Sequence, residues 1–550
     1  MQVAAAAGRR RREDRLSTLS DDTLGRILSF LPAKEAARAS VLSSRWRDTY
    51  AGVDAVSLDE QDRPFPGDPH PTPPFTTAIT AALLARHNAP EPPPPLRVLR
   101  AVLNHYRHGD ASVVDHWVSY AIKHAAPAHA GLVIDLRLRR APLCNRRYSL
   151  RASEDVKEHG ARLGRKRSRS PDPDPDEEEE EERKQSNRRR TSDSGLDTDS
   201  EPDSHAPPEY TVPGRLFSCN ALRSLSLGPC RLSPPDAVSL PYLEALVLTR
   251  VSDHERHVQR LIAACPRLSE LTLEACGTIT ALYLLGNHRL RSLALRCCHS
   301  LAVVAVNGGM LRSLEYRGSA PVLSLSRGGG GQESFASCMV DVCGEEVSSA
   351  KDLAKLGEFL QLLASTKHLH LQSARVGCGI EHDALATSLP MFTSLLHLEL
   401  TGQLPHCDGD AAIAAVSTIL WRAPCLEVIS LAFAPGPGND ELLARQSCRK
   451  DCKKGELAAA HQLRYNEVEV LAATPAVRIP CLRSRVREIK LVHYHGGMAQ
   501  RTLAKFLLCN APVLDRLYCG FAPGPSWIQN KLRDEIQGWA MNKAENRIFD

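Results

Sequence analysis

No apolar run in this chain approaches the roughly 20 residues that a helix needs to cross a bilayer, so a helical membrane span is not expected. The first residues, Met1–Glu13, hold alanines and then Arg9–Arg12, without the long apolar core of a secretory signal. Acidic residues from Glu13 onward cut short an Arg-rich transit peptide, and the segment reads as a disordered tail. Catalytic signatures are missing too. There is no Gly-x-Ser-x-Gly and no phosphate-binding Gly-x-x-x-x-Gly-Lys-Ser/Thr; Gly328–Gly331 lacks the following Lys-Ser/Thr and reads as a turn. A hydrolase or transferase is therefore disfavoured, and no cofactor is expected. Cys448 and Cys452, with His461 nearby, lack the second pair that a zinc finger needs, and His493 and His495 would need further ligands. No metal is expected. Nothing forms a basic helix or an aromatic–basic platform, which argues against nucleic acid as a partner.

The 17 cysteines are odd in number and scattered. That pattern suits free thiols in a reducing compartment. The expected location is intracellular, in nucleus, cytoplasm or both. The net charge of +5 is unevenly spread: Ser153–Glu209 alone carries 11 Lys/Arg against 18 Asp/Glu, so the remainder is more basic than the total suggests. A basic folded part favours acidic partners.

Asp14–Tyr50 reads as three short helices. Ser20 is a candidate N-cap, with Asp21 and Asp22 at the positive end of the first helix. Leu24, Ile27, Leu28 and Leu31 fall at i, i+3, i+4 and i+7, a continuous apolar stripe, and Pro32 stops the helix. A second helix over 33–42 lines up Ala33, Ala36, Ala37 and Val41. Ser43–Ser44 interrupts the pattern, and Trp46 and Tyr50 sit four apart on a third helix. Three helices of this length bury too little to be stable alone, so the stripe has to be covered by the rest of the chain or by a partner.

Behind them an apolar-x-x-apolar-x-apolar pattern recurs. Copies stand at Val133-Leu136-Leu138, Leu222-Leu225-Leu227, Leu243-Leu246-Leu248, Leu268-Leu271-Leu273 and Leu290-Leu293-Leu295. Others follow at Leu311-Leu314-Tyr316, Thr366-Leu369-Leu371, Leu395-Leu398-Leu400, Leu426-Ile429-Leu431, Val486-Ile489-Leu491 and Leu514-Leu517. Spacings of roughly 20–29 residues and continuation into Cys230, Cys276 and Cys298 at one offset make this a leucine-rich repeat. Those cysteines read as small buried residues at the turn off the strand. Helical returns are expected where Val258, Leu261 and Ile262, or Leu503, Phe506 and Leu507, show helical spacing. Short repeats such as Leu290 to Leu311 leave room only for loops. Trp527, Ile528, Lys531, Leu532, Glu535 and Ile536 predict an amphipathic helix that caps the stack.

Ser153–Glu209 has almost no large apolar residues and an acidic run, Asp176–Glu182, between Arg165–Arg169 and Arg188–Arg190. It cannot bury enough to offset the entropy of ordering, and reads as a disordered insertion. Its basic clusters suit nuclear import, or equally a solvated polyampholyte loop. Ser170-Pro171 and Arg189-Arg190-Thr191-Ser192 are weak kinase-site matches.

The run from Asp14 to Tyr50 closely resembles the plant F-box, in Asp14-Arg15-Leu16, Leu19, Leu24, Ile27–Pro32, Ala36-Ala37, Ser40–Ser43 and Arg45-Trp46-Arg47. Leu216–Leu273 resembles the repeats of plant F-box/LRR proteins, and Val486–Cys519 the FBD segment that closes many of them. The resemblance implies an α/β fold: an N-terminal three-helix F-box, then an irregular leucine-rich-repeat solenoid of parallel strands with helices and loops outside, interrupted by the insertion. The expected division is F-box 14–50, proline-rich linker 51–95 with a helix near Phe75–Arg86, first repeat units 96–152, insertion 153–209, repeats 210–480, FBD-like repeats 481–525 and capping helix 526–550. It also implies a non-catalytic function: the substrate-recognition subunit of an SCF-type cullin ubiquitin ligase. Leu16, Leu19, Leu24, Ile27, Leu28, Leu31, Pro32, Val41, Leu42 and Trp46 would meet a Skp-type adaptor, and through it a cullin, while the repeats bind an unknown protein substrate. Ser20 stands where the family usually has proline, which supports the alternative of a repeat scaffold that does not engage the ligase.

Overall fold

The structure is a computed structural model. It describes residues 18–30, 39, 43–51, 53–60, 75–88, 94–104, 106–125, 131–139, 209–318, 321–326, 335–341, 350–372, 389–402, 409–433, 463, 471, 473, 476–541 and 545–549. The chain divides into two units, one of residues 1–145 and 209–550 and one of Arg146–Pro208. The second unit, and with it the expected insertion apart from Glu209, lies outside the described residues.

Strand residues of the first unit alternate between a buried face and a solvent face, as a sheet covered on one side requires. Among the described residues, fifteen strands form one open sheet in chain order, from Ala55–Asp59 to Glu545–Phe549. Every neighbouring pair is parallel, and each repeat pairs with the next at equivalent positions. Leu225, Leu246, Leu271, Leu293 and Leu314 form one buried ladder across five strands, and Leu227, Leu248, Leu273, Leu295 and Tyr316 form the next. The ladders exist because parallel neighbours with a common spacing put like residues side by side, so each apolar residue packs on the apolar residues before and after it.

Helices return the chain between strands: Phe75–His87, Ala111–Lys123, Glu255–Ala263, Ala350–Leu362, Gly409–Trp421, Met498–Cys509 and Ser526–Trp539. Glu255–Ala263 buries Val258, Leu261 and Ile262, the stripe its spacing predicted. Cys276 and Cys298 are buried at the turns off their strands, whereas Cys230, also buried, starts a short strand, Cys230–Arg231, that pairs with Tyr210–Thr211. The Cys276 and Cys298 thiols each lie 3.5 Å from a backbone carbonyl of the preceding repeat, Leu248 and Leu273 respectively. A small side chain with a weak donor suits a crowded turn that has to satisfy the carbonyl beneath it.

Several expectations are corrected. The sheet starts inside the stretch read as a linker: Ala55–Asp59 pairs with Val98–Val102, and Val53, Val56 and Leu58 carry the repeat spacing. The copy at Val133 is displaced by two residues, because Ile134 pairs with Leu225 and Leu136 with Leu227, leaving Val133 on the open face. Ser337–Asp341 is a further repeat strand, with Phe335, Cys338 and Val340 in the apolar positions. In the short repeats, strands and not only loops return the chain. Ala281–Leu284, Val303–Asn307 and Val322–Ser326 form a second parallel sheet that buries Leu282, Leu284, Val304, Val306 and Leu323. The helix Ser526–Trp539 does bury Ile528, Leu532 and Ile536, but it is the return to another strand, Glu545–Phe549, and not the last element.

Candidate functional site

The region that resembles an F-box is built on two described helices, Asp21–Phe30 and Ser44–Ala51, with Ala39 and Ser43 the described residues of the segment between them. Ser20 caps the first helix: its Oγ accepts from the Thr23 amide at 3.4 Å and lies 2.8 Å from Thr23 Oγ1. Arg45 ties the helices together, donating to the Leu19 carbonyl and, at 2.7 Å, to Asp21 Oδ1. Ser43 Oγ accepts from the Trp46 amide at 3.2 Å and so starts the second helix.

The expected contact residues are sorted by burial. Leu24 and Leu28 are fully buried; Leu28 packs with Val53 against Trp46, Ala39 and Ala55, in a small cluster apart from the main core. Both leucines therefore hold the unit together, with no surface of their own to offer. Ile27, at 37% exposure, is the outward member of the stripe, while Leu19 and Trp46 are half-buried. Leu16, Leu31, Pro32, Val41 and Leu42 lie outside the described residues. Arg86, 2% exposed on the helix Phe75–His87, donates to the Val53 carbonyl and joins this unit to the first repeat. Burial lowers its pKa below the usual arginine value, and Tyr120 and Asp54 partly offset that.

A second feature lies on the open face of the sheet, where a groove of about 300 Å³ crosses four strands. Ser313, Ser337, His368 and His397 register side by side in one row, and Glu315, Met339, His370 and Glu399 in the next. Small serines opposite large histidines leave the hollow. The His368 and His397 rings lie 5.4 Å apart, and His397 Nε2 is 3.3 Å from Ser430 Oγ. Burial, His368 and Lys490 lower the His397 pKa, against the opposing pull of Glu399 and Glu488. Glu315 accepts two bonds from Arg296 at 2.6 and 2.7 Å, and Arg296 also reaches Glu274 at 2.5 Å. Sequence reasoning missed this groove. Its residues occupy the variable positions of the repeat, and only the strand register shows which of them are neighbours.

Among the described residues no group of three or more His, Cys, Asp or Glu is placed to hold a metal ion, and no helix is long and apolar enough to cross a membrane. Cys448, Cys452 and His461 lie outside the described residues.

Helices at the front and a register-locked parallel sheet behind define a small helical unit joined to a scaffold of repeats. Comparison with known families gives both parts. Residues 16–49 match the F-box domain, and residues 199–323 match the LRR repeats of FBD-associated F-box protein At5g56370. The chain thus carries an F-box followed by leucine-rich repeats, the arrangement of plant F-box/LRR proteins. It is similar to the FBD-associated F-box protein At5g18780 of Arabidopsis thaliana, 52% identical over 50 residues that cover 9% of this chain and 11% of the relative. It is also similar to the F-box/LRR-repeat protein At1g48400, 46% identical over 11% of this chain and 12% of the relative, and to the F-box/FBD/LRR-repeat protein At5g18770, 45% identical over 10% and 12%, both from the same plant. These alignments span about a tenth of the relatives' lengths.

Proposed function

We propose that this chain is the substrate-recognition subunit of an SCF-type cullin ubiquitin ligase. Its F-box docks a Skp-type adaptor, and its repeats hold the target protein. The chain makes and breaks no bonds itself; its contribution is proximity, placing the target near the subunits that transfer ubiquitin. The observation that carries this reading is the F-box match over residues 16–49, on helices that leave Ile27 facing outward. The Val486–Cys519 segment, a strand, helix and strand that continue the repeats, is read as the FBD-like end of the scaffold.

The test is capture of a purified Skp-type adaptor by the full chain. Ile27→Asp puts a charge on the outward face without touching the buried leucines, so the fold should persist while adaptor affinity falls at least tenfold. Undiminished capture by Ile27→Asp would remove Ile27 from the interface. No capture by the unaltered chain would favour the scaffold that does not engage the ligase.

A further inference from the structure

The turns that leave the strands Glu270–Glu274 and Ser292–Arg296 are copies of one another. Glu274 and Arg296 are paired in register. The residues that follow them, Ala275 and Cys297, both take positive φ, 52° and 56°. The Ala275 amide donates to the Arg296 carbonyl at 2.7 Å, and the Cys297 amide to the Arg317 carbonyl at 2.6 Å. The next residue of each turn is a cysteine, so Cys276 and Cys298 occupy the same place in neighbouring repeats, and both are buried. Neighbouring strands lie about 4.8 Å apart. The Cα atoms of a disulfide lie about 4.4–6.8 Å apart, so equal turns on adjacent strands bring the two cysteines within bridging range. Cys230 belongs to the same row, but Val251 stands beside it, between it and Cys276.

The Cys276 and Cys298 thiols are also hydrogen-bonded to each other, which sets them apart from the other buried cysteines. Burial pushes the thiols of Cys230, Cys265, Cys338, Cys481 and Cys519 up. Cys276 goes the other way. The bond from Cys298, helped by backbone bonds at Val251, Glu274 and Arg250, holds its thiol below the ordinary value in spite of burial. Cys298, which supplies that bond, is raised. A donor aimed at a sulfur favours its thiolate, and the thiolate is the form that an oxidant meets. Cys276 is thus the reactive sulfur of the pair, and Cys298 is in place to resolve it.

We propose that Cys276 and Cys298 are a site of reversible oxidation by hydrogen peroxide, which joins them in a disulfide between adjacent repeats. The Cys276 thiolate attacks one peroxide oxygen, the O–O bond breaks, and hydroxide leaves, giving a sulfenic acid. The Cys298 sulfur then attacks the Cys276 sulfur. The S–S bond forms, the S–O bond breaks, and the thiol proton leaves with the hydroxyl group as water. The first hydroxide takes up the proton that Cys276 gave up. In sum, two thiols and one peroxide give one disulfide and two waters, with sulfur oxidised and oxygen reduced. Peroxide is small and uncharged, which suits a site where both sulfurs are buried. The bond between the Ala275 amide and the Arg296 carbonyl already holds the two turns together, so closing the disulfide needs no change of strand register.

The test treats the folded full chain with dilute hydrogen peroxide, blocks the remaining thiols with N-ethylmaleimide in guanidinium, and digests the product with trypsin without reduction. Mass spectrometry should find the peptide 268–289, which holds Cys276, joined to the peptide 297–312, which holds Cys297 and Cys298. Dithiothreitol should part them. Chain unfolded in guanidinium before the peroxide should give at least tenfold less of the joined pair, because the fold creates the proximity. Cys297→Ser should keep the joined pair and Cys298→Ser should lose it, with the thermal transition of each variant showing that its fold is kept. Three results overturn the proposal: no joined pair from the unaltered chain, a joined pair that persists in Cys298→Ser, or oxidation of Cys276 no faster than that of Cys338 and Cys519. The first and third need no variant, so a variant that fails to fold does not shield the proposal.

Discussion

Burial controls the chemistry of individual side chains in this scaffold. It pushes the thiols of Cys265, Cys338 and Cys519 up to about 12 and that of Cys481 up to about 11. The thiolate is the nucleophile, so these groups should be nearly inert at pH 8. Iodoacetamide should leave all four unmodified in the native protein and alkylate them in guanidinium, as read by peptide mass spectrometry. Native labelling of Cys338 would show that its strand opens. At Ser20 the cap sets up a competition. Proline suits a helix start, where its missing N–H is not needed, but Ser20→Pro removes the oxygen that accepts from Thr23. If the proline usual in the family makes an adaptor contact, affinity by calorimetry should rise; equal or weaker affinity would mean that the serine cap is an adequate substitute. The sequence could place Leu24, Ile27 and Leu28 on one stripe. It could not divide them into inward and outward members, because helical spacing gives a shared face and says nothing about what covers it.

At the level of single elements, close packing leaves few positions open to change. Gly228 ends the strand Leu222–Gly228 with φ at +146°, and a Cβ there would lie 1.9 Å from the Thr249 carbonyl oxygen. Backbone strain and overpacking together make Gly228→Ala cost about 2–5 kcal/mol. The thermal transition should fall by several degrees, and an unchanged midpoint would mean that the turn can be rebuilt. Nearer the end of the chain, Arg501, 3% exposed, donates to both oxygens of Glu535 at 2.9 and 2.6 Å and joins the helix Met498–Cys509 to Ser526–Trp539. Glu535→Ala leaves a buried guanidinium without its carboxylate. Since Glu535 itself is partly exposed, the expected cost is about 2–4 kcal/mol, below that of a fully buried pair. A double-mutant cycle with Arg501→Met should show strong coupling, and additive effects would deny it. Elements with leucine in the pattern positions were legible in the sequence. Those built on Val53-Val56-Leu58 or Phe335-Cys338-Val340 were not, because a buried slot accepts any apolar residue of fitting size. The second sheet escaped notice for another reason. Its strands, Ala281–Leu284, Val303–Asn307 and Val322–Ser326, sit where the repeat spacing left room for nothing but a return.

For the molecule as a whole, the sheet brings together the two points that Arg146–Pro208 separates in sequence. Leu132–Arg137 and Leu222–Gly228 are hydrogen-bonded neighbours, with Ile134 beside Leu225. The repeats on either side therefore fix the distance that any connection has to bridge, whatever its length. Loop-closure entropy grows only as the logarithm of length, so shortening the connection should cost little and even help slightly. Replacing residues 146–208 with about a dozen Gly/Ser residues, enough for a flexible chain to span neighbouring strands, should keep the thermal midpoint within a few degrees. The replaced segment carries Arg165–Arg169 and Arg188–Arg190, and these clusters are the reason to propose that the protein enters the nucleus. The same replacement, made in a fluorescent fusion, should then reduce nuclear accumulation while adaptor capture persists. A large drop in melting temperature would show that the segment packs on the repeats despite its composition. An unchanged nuclear fraction would make it a solvated loop, because import would then have to depend on something outside residues 146–208.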